Sequence, residues 1–528
     1  MIKTDIKVKF AYSDEDIMSA LTAHIPVLRD EIKDLKIVKR SLNVSDKSDI
    51  HYNLTVAISL SDEREAGLLK MKKKVSLAPE FSIDIPICNF SKRPLVVGSG
   101  PAGLFAALLL AEAGARPILI ERGLEVGERK KKVESFTKFG ILDPECNIQF
   151  GEGGAGSFSD GKLKTGSLDK YKMKVLSEFV QAGAPEDILY SVGAHVGTDK
   201  LREIVKKIRS KIVSLGGEVH FASKLTKIKI TDGRVTGGTV ERPDGTVDFD
   251  TDCIVIATGH SARDTYELLR SLGAPMQAKG FGIGMRIEHP REYINDLVYG
   301  KNAPSELGSA SYHLVTHLKG GRSVYSFCMC PGGVVVPAAS EAGGIVTNGM
   351  SEYARMADNS NSALLVSVTP EDFGSDDVLA GIDFQRKIER AAFSSAGCSY
   401  KAPSTSVYNL MNSDFTSKNN SITPSYAIGT VNVSPYEYLP SYIPDSLKEG
   451  MVDFDEWMPG FNIPDAVLTG PETRTTSPVR VVRDNSLEVA GIEGLYPAGE
   501  GAGYAGGIIS SARDGLLIAE KIIEKASI

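Results

Sequence analysis

Alternating apolar and polar positions in the first 90 residues predict a small α+β unit. The stretches DIKVKFAY, LKIVKRSLNV and IHYNLTVAISL show the period-two pattern of half-buried strands, and EFSIDIPI is expected to add a fourth. SDEDIMSALTAHI predicts a helix capped by Ser13, and SDEREAGLLKMKKK predicts a helix whose acidic start and basic end match its dipole. This order of elements is that of a ferredoxin-like fold, which hosts many functions and indicates none.

From residue 92 onward, short continuous apolar runs separated by glycine-rich turns replace this alternation. LVVGSGPAGLFAALLLAEAGARPILIERG, residues 95–123, predicts a strand, a tight turn, a helix and a second strand. DKLREIVKKIRSKIVSLGG predicts a long helix, CIVIATGH a buried strand, and the Asp-Gly pairs of TDGR and PDGT two hairpins. Residues 273–478 are rich in Gly, Pro, Ser and Asn, so we expect a β-rich insertion there. The final GLYPAGEGAGYAGGIISSARDGLLIAEKIIEKA predicts a strand, a glycine turn and a long helix.

The first glycine turn carries the strongest chemical signal. Gly98 permits a tight turn, Gly100 lets the backbone approach a pyrophosphate, and Gly103 allows the helix to pack closely on the sheet. Glu121 ends the second strand at about the 20-residue offset expected for a carboxylate that binds ribose hydroxyls. The uncharged window 94–111 also has the length of a membrane span. Its glycines and prolines favour a buried strand–turn–helix unit that binds a dinucleotide instead.

The composition limits the other classes of function. A chain of 528 residues with ordinary apolar and charged fractions is expected to form two to three domains. Its net charge of −7 is mild for this length, so neither nucleic acid nor a membrane is an expected partner. Six cysteines form no disulfide framework, no signal-peptide pattern opens the chain, and no metal-ligand spacing occurs. We therefore expect a cytoplasmic protein without a metal site.

Two further stretches narrow the choice of dinucleotide. IATGH, residues 256–260, ends a buried strand, and the C-terminal YPAGEGAGYAGG feeds a helix. With the first glycine turn, these signals resemble FAD-containing oxidoreductases of the glutathione-reductase-like superfamily. FGEGGAGSFSDGKLKTGS (150–167), ATGHSARDTYELL (257–269), SFCMCPGGVVVPAASEAGGIVTNGMS (326–351) and TGPETRTTSPVRVVRD (469–484) look like a bacterial family of FAD-dependent dehydrogenases, sometimes called NAD-utilising dehydrogenases.

This resemblance implies both an architecture and an activity. The fold class is α/β, with a Rossmann-type FAD-binding domain formed by residues 91–272 and 479–528. Residues 273–478 are expected to be an inserted β-rich substrate or cap domain, and residues 1–90 an N-terminal ferredoxin-like α+β domain. The implied activity is transfer of a hydride or electron pair between a small organic substrate and FAD, with NAD(P)H as a candidate transient reductant.

The resemblance also assigns cofactor contacts residue by residue. Where the superfamily usually has Gly-Asp, this chain has Gly499-Glu500, whose longer carboxylate is expected to reach a ribityl hydroxyl. The implied FAD contacts are Gly98, Ser99, Gly100, Pro101, Ala102, Gly103, Glu121, Arg122, Arg129, Leu225, Thr258, Gly259, Gly499, Glu500, Gly506, Gly507 and Ile508.

The candidates for chemistry each have a structural alternative. Asp160 and Lys162 either bind substrate beside the flavin or form a loop ion pair. Cys330 lies in a C-x-C with Cys328, whose spacing on a strand would put both thiols on one face for electron relay, although buried cysteines are common core residues.

His260 follows a strand end, where loops often carry function. Arg474 and Arg480 suit an anionic substrate or a salt-bridge scaffold.

Two other functions compete with the dehydrogenase. One is a flavin-dependent monooxygenase that uses NAD(P)H and oxygen. The other is a flavin-binding protein that acts through its N-terminal unit in protein interaction or RNA recruitment. That unit has scattered Phe10, Tyr12 and Tyr52 rather than the aromatic-rich strand of an RNA-binding sheet. A small-molecule substrate is the expected partner, and the sequence does not indicate an oligomeric state.

Overall fold

The computed structural model describes residues 1–71, 74–163, 168–415 and 421–527, so the last four residues of the 150–167 stretch lie outside it. The first unit is an antiparallel sheet in the order β2-β3-β1-β4 with two helices. Its elements are β1 (Ile2–Lys9), α1 (Asp14–His24), β2 (Asp34–Asn43), β3 (His51–Ser59), α2 (Asp62–Leu69) and β4 (Ser76–Leu77).

Local sequence signals determine where most helices and strands of this unit begin and end. Ser13 caps α1 in a capping box with Asp16, as its position before an acidic first turn predicts. The strand expected over residues 80–87 does not form, and the edge strand is the short β4. Pro79 precedes the stretch and Pro86 lies within it, and neither can donate a hydrogen bond to a strand ladder. Its apolar residues Ile83 and Ile85 instead pack against the core of the following unit.

The next segment forms a parallel sheet with helices and a three-stranded antiparallel sheet. The two predicted hairpins form, since β8, β9 and β10 pair in sequence. The elements are β5 (Leu95–Val97), α3 (Pro101–Glu112), β6 (Ile118–Ile120), α4 (Val126–Phe139), α5 (Lys170–Gln181), α6 (Gly197–Ser214), β7 (Glu218–His220), β8 (Lys224–Thr231), β9 (Arg234–Arg242), β10 (Gly245–Phe249), β11 (Ile254–Ile256) and α7 (Arg263–Ser271).

The segment after α7 is built on a seven-stranded sheet in the order β14-β15-β18-β13-β21-β19-β20, one face of which is covered by α9 and α11. Its elements are β12 (Met276–Ala278), β13 (Phe281–Pro290), α8 (Arg291–Tyr299), β14 (Val315–His317), β15 (Ser323–Cys330), β16 (Val334–Pro337), β17 (Thr347–Met350), β18 (Asn359–Val368), α9 (Ala380–Ser395), β19 (Ala402–Ser406), α10 (Val407–Asn412), β20 (Thr430–Asn432), α11 (Tyr442–Trp457) and β21 (Val467–Glu472).

The chain then returns to the parallel sheet through β22 (Val479–Val481), β23 (Leu495–Pro497) and α12 (Ile508–Ala526). The sheet order β23-β11-β5-β6-β7 puts β5 at the centre. Residues 102–111 of α3 are all buried, since α12 packs along this helix, and none of them is charged; the charge of α3 is carried by its last residue, Glu112. Among the described residues, no helix has the length and apolarity needed to cross a membrane.

The N-terminal sheet is attached to the rest of the chain through Arg40 of β2. Its guanidinium pairs with Asp187 at 2.7 Å and lies over the rings of Tyr52 and Tyr190 at 5.4 and 5.2 Å. Tyr52 also stacks on Phe10 at 5.7 Å. The aromatic side chains of this sheet are therefore engaged in an internal contact with the neighbouring unit.

Candidate functional site

Three glycine segments from distant parts of the chain meet at the carboxyl ends of the parallel strands. The first is the turn between β5 and α3, where Gly98 has a φ of 100°. A Cβ atom on Gly98 would overlap the carbonyl group of Ala257, and one on Gly103 would overlap the carbonyl oxygen of Gly98. These two glycines are needed for the turn and for the close approach of α3.

The second segment, residues 151–156, lies against this turn. The N–H of Gly153 donates to the carbonyl oxygen of Ser99 at 2.9 Å. A Cβ on Gly156 would lie 3.1 Å from the side chain of Ile508, the first residue of α12. This loop therefore connects the N-terminal ends of α3 and α12.

The third segment, residues 499–507, follows β23. A Cβ on Gly499 would lie 2.8 Å from Cβ of Ala102, and one on Gly501 would lie 2.7 Å from the carbonyl oxygen of Gly259. The three segments form one glycine-lined surface, which we call the glycine surface. It contains these sequence-predicted residues: Gly98, Ser99, Gly100, Pro101, Ala102, Gly103, Thr258, Gly259, Gly499, Gly506, Gly507 and Ile508.

Gly100 faces open space in the glycine surface. The nearest atom to a Cβ on Gly100 would be Cα of Gly154, at 3.8 Å, whereas a Cβ on Gly98 or Gly103 would collide with backbone. Gly100 is also the N-cap of α3, whose first N–H groups lack helical partners. The space in front of Gly100 therefore suits an anion that approaches the backbone.

Glu121 is buried beneath the glycine surface and ties two of its segments together. One carboxylate oxygen accepts hydrogen bonds from N–H and Oγ of Ser99, at 2.8 and 2.9 Å. The other accepts from the N–H groups of Gly123 and Gly151, at 3.0 and 2.9 Å. A carboxylate offers about four acceptor positions. A ribose hydroxyl would have to replace one of these four donors.

Arg122 and Leu225 lie at the same end of the site as Glu121. The Arg122 guanidinium pairs with Asp264 at 2.9 Å and with Glu145 at 3.5 Å, and it covers the ring of Phe150 at 4.5 Å. Leu225 is buried in β8 and packs into the core under the parallel sheet. Arg122 is thus held by protein partners, and its planar face is already stacked.

Arg129 has a role that its sequence position did not suggest. We expected it to contact FAD, but its side chain is fully enclosed by the loop that carries the second glycine segment. It donates to five backbone carbonyls, and this burial lowers its pKa to about 10. A Cβ on Gly151 would overlap the arginine side chain. The accepting residues, at 2.7–3.2 Å, are Asn147, Ile148, Gly151, Glu152 and Gly154.

Glu500 and His260 face each other at the other end of the glycine surface. The Glu500 carboxylate lies 3.9 Å from Nε2 of His260, and its side chain is 25% exposed. Burial raises the pKa of Glu500 to about 7, and nearby Lys279 opposes this shift. Burial together with Arg474 and Arg263 lowers the pKa of His260 to about 3, so this imidazole is neutral at physiological pH.

The cofactor-free chain is expected to lose stability between pH 5 and pH 8 because of Glu500. The folded state holds a proton that the unfolded chain, with a pKa near 4.5, has already released, so the free energy of unfolding falls as pH rises. We expect Glu500→Gln to lose about 1–3 kcal/mol less than the parent over this range. Urea unfolding at both pH values measures the difference, and equal losses in the two proteins would contradict the shifted pKa.

Asp160 and Lys162 lie in a buried ion-pair cluster. Asp160 is 3% exposed and is paired bidentately with Arg355, with its nearer oxygen at 2.5 Å, while Lys162 is 3.9 Å away. Burial alone would raise the pKa of Asp160, but Arg355 and Lys162 outweigh it and lower the pKa. Lys162 also donates to the carbonyl oxygen of Met329 in β15. This cluster attaches the second glycine segment to the seven-stranded sheet.

The two cysteines of the C-x-C do not share a face. A bulge interrupts β15 between Phe327 and Cys330, and Cys328 has a φ of 41° there. Cys328 is exposed, whereas Cys330 is buried beside Arg286, and burial raises the pKa of the Cys330 thiol. The expectation of one shared pocket assumed a regular strand, which the bulge breaks.

The two candidate arginines have different environments. Arg474 is 5% exposed, and its guanidinium pairs with Glu389 at 2.9 Å. Glu389 also pairs with Arg263 of α7 at 3.0 Å, so this buried cluster joins α7 to α9. Arg480 is exposed and lies over the ring of Tyr504 at 5.2 Å. Arg480 is therefore accessible to a ligand, and Arg474 is occupied.

Two parts of the chain match known family models. Residues 93–130 match the family model described as FAD binding domain, and residues 280–475 match FAD-dependent protein, C-terminal domain-like. An uncharacterized protein of Clostridium beijerinckii is 48% identical over 502 residues, which are 94% of this chain and 93% of that protein. The chain belongs to this FAD-dependent oxidoreductase family. FAD is its cofactor.

Other proteins similar to this FAD-dependent oxidoreductase either match a smaller share of the chain or have a lower sequence identity. Aklavinone 12-hydroxylase of Streptomyces peucetius is 29% identical over 154 residues, which are 27% of this chain and 30% of the hydroxylase. A solved flavoprotein/dehydrogenase from Cytophaga hutchinsonii is 12% identical with a TM-score of 0.37, and the match covers 82% of this chain and 79% of that one.

The residues of this FAD-dependent oxidoreductase fit a bound dinucleotide. Side chains are absent where a pyrophosphate needs backbone, since only Cα of Gly154 approaches the Cβ position of Gly100. A buried carboxylate, Glu121, lies beside this turn, and a second, Glu500, lies at the opposite end of the glycine surface. The N-termini of α3 and α12 flank the surface and offset negative charge.

Proposed function

We propose that this FAD-dependent oxidoreductase transfers a hydride or electron pair between a small organic substrate and FAD bound along the glycine surface. The convergence of residues 98–103, 151–156 and 499–507 carries this proposal, because a Cβ on Gly100 would meet only Cα of Gly154 within 4 Å. Bound FAD supplies the two-electron chemistry. The chain supplies position, electrostatics and exclusion of water.

We assign distinct tasks to the residues of the glycine surface. Gly100 and the first turn of α3 receive the pyrophosphate, and Glu121 orders the turn and exchanges one donor for a ribose hydroxyl. Glu500 binds the ribityl chain, with neutral His260 beside it. The N-terminus of α12, at Gly507 and Ile508, faces the flavin ring and favours its negatively charged reduced form.

We further propose NAD(P)H as the transient reductant. Arg480 is exposed, and Lys279 is half-buried one residue beyond the strand that pairs with the Arg480 strand. Within the described residues, neither cation has a carboxylate within 4 Å. Burial lowers the pKa of Lys279, and the nearby charge of Arg480 lowers it further. Two unpaired cations beside the glycine surface suit the phosphates of a nicotinamide dinucleotide.

The test is anaerobic titration of the purified, FAD-loaded protein with NADH and then NADPH. We expect the oxidised-flavin absorbance to bleach with one of them. Arg480→Gln is expected to weaken the binding of that reductant at least about tenfold, since a charged hydrogen bond is worth about 1.5–3 kcal/mol. Arg270→Gln, which removes an exposed arginine paired with Asp377, is the matched control.

The same titration separates the competing functions. Bound FAD that neither nucleotide bleaches would contradict nicotinamide as reductant and leave a substrate-reduced dehydrogenase. Rapid oxygen consumption coupled to an oxygenated product would favour the monooxygenase. Failure of the protein to take up FAD would contradict the assignment of the glycine surface.

A further inference from the structure

The face of the seven-stranded sheet opposite α9 and α11 carries an aromatic pair beside two glycines. In β13, Ile283 and Met285 point into the core, so Gly282 and Gly284 lie on the other face. In β15, Val324 points into the core, which puts Tyr325 and Phe327 on the glycine face.

Tyr325 lies across the nearer glycine. A Cβ on Gly282 would overlap the Tyr325 hydroxyl, so the absence of a side chain there makes room for the phenol. The ring of Phe327 stands edge-on to that of Tyr325 at 6.4 Å, with an interplanar angle of 89°. Both side chains are only half-buried, and Val315, opposite Tyr325 on β14, is 36% exposed. These three side chains form an accessible apolar wall.

The Tyr325 hydroxyl has no hydrogen-bond partner within the described part of the chain. Tyrosine hydroxyls in apolar surroundings usually have one. Burial raises the pKa of Tyr325, so the group stays protonated and remains a donor at neutral pH. A half-buried, accessible donor on an apolar wall is an arrangement that a ligand oxygen completes.

This wall is connected to the glycine surface through few contacts. Gly282 exchanges two hydrogen bonds with Thr475, at 3.2 and 2.9 Å. The next residue, Thr476, has its methyl group 3.9 Å from the Cβ position of Gly506, just before α12. The Tyr325 hydroxyl is therefore separated by one strand and one turn from the segment that we assign to the flavin ring.

We propose that the substrate of this oxidoreductase is a planar conjugated carbonyl compound, held against Tyr325 and Phe327, whose oxygen accepts a hydrogen bond from the Tyr325 hydroxyl. This inference rests on the proposed function, because the wall is relevant only if FAD lies along the glycine surface. Aromatic edges and faces favour a flat ring system, and a single neutral donor matches a carbonyl rather than a carboxylate.

The test compares two flat probes that differ in their carbonyl oxygens, 9,10-anthraquinone-2-sulfonate and anthracene-2-sulfonate. Binding to the FAD-loaded protein is measured by equilibrium dialysis, after FAD occupancy has been determined from its absorbance. The variant is Tyr325→Phe, which removes only the hydroxyl. The matched control is Tyr408→Phe, which alters an exposed tyrosine on α10.

We expect the quinone to bind the parent and Tyr408→Phe equally, and to bind Tyr325→Phe about 2- to 12-fold more weakly, the range that corresponds to one neutral hydrogen bond. Anthracene-2-sulfonate is expected to bind all three proteins alike. Equal quinone affinity for the parent and Tyr325→Phe, or no quinone binding below 1 mM to FAD-loaded protein, would overturn the proposal. Loss of FAD binding would instead overturn the proposed function.

Discussion

Replacement of Gly100 by alanine is expected to weaken FAD binding about 5- to 150-fold while leaving the fold intact. A Cβ at this position meets only Cα of Gly154, at 3.8 Å, so the folded chain accommodates it. The methyl group would occupy the space assigned to the pyrophosphate, and overfilling a fitted contact costs about 1–3 kcal/mol. Quenching of FAD fluorescence gives the dissociation constant, and thermal unfolding of the cofactor-free chain tests the fold.

Two other glycine substitutions serve as controls for this prediction. Gly320→Ala is the neutral control, since nothing lies within 4 Å of its Cβ position and its φ is not positive. Gly103→Ala is expected to lose the fold as well as FAD, because its Cβ would overlap the carbonyl oxygen of Gly98. If Gly100→Ala bound FAD as tightly as the parent does, the pyrophosphate would lie elsewhere.

Arg129→Lys is expected to lower the free energy of unfolding by about 3–5 kcal/mol and to abolish retention of FAD during purification. The guanidinium serves five buried carbonyls, which a lysine with three donors on one nitrogen cannot reach together. The unpaired carbonyls would open the loop that carries residues 151–156. Urea unfolding measures the loss of stability, and the absorbance ratio at 450 and 280 nm measures FAD retention.

Arg202→Lys provides a matched control for this substitution. Arg202 lies on neighbouring α6, covers the same Phe158 ring at 5.5 Å, and donates to a single carbonyl, that of Thr198. We expect this change to lower stability by less than about 1 kcal/mol. Comparable losses in the two variants would mean that charge near Phe158, rather than the enclosure of Arg129, determines stability.

The parts of the structure that sequence predicted are those fixed by neighbouring residues. The Ser13 cap, the Asp-Gly hairpins and the strand–turn–helix around Gly98 each depend on contacts within a few positions of chain. The periodicity of α6 likewise needs only the residues of that helix. Local chemistry determines these elements before any tertiary contact forms.

The predictions that proved wrong concern segments whose conformation depends on residues far away along the chain. The alternation of residues 80–87 resembles a strand, but prolines at positions 79 and 86 and the packing of the segment on the core of the next unit leave it unpaired. Spacing placed Cys328 and Cys330 on one face, but a bulge separates them, and Arg286 of a distant strand donates to the Cys328 carbonyl within that bulge. No local pattern indicates a bulge.

Charged residues of the site show the same limit. The sequence identified Glu121 as a candidate ribose ligand and Arg474 as a candidate for either an anionic substrate or a salt bridge, but it could not name the protein groups that engage them. Arg129 was expected to contact FAD, and nothing in the sequence indicated that its side chain is fully enclosed. The partners of these groups come from loops far away along the chain, so their pairing becomes visible only in three dimensions.

The dependence of α3 on α12 also has a consequence for synthesis. Residues 102–111 of helix α3 are buried on every side and are made before the seven-stranded sheet, whereas α12, the helix that covers α3, is made after that sheet. During translation its uncovered face is exposed in a compact but unfinished chain, which favours aggregation. We therefore expect the unfinished chain to depend on chaperones until α12 has been made and has packed on α3.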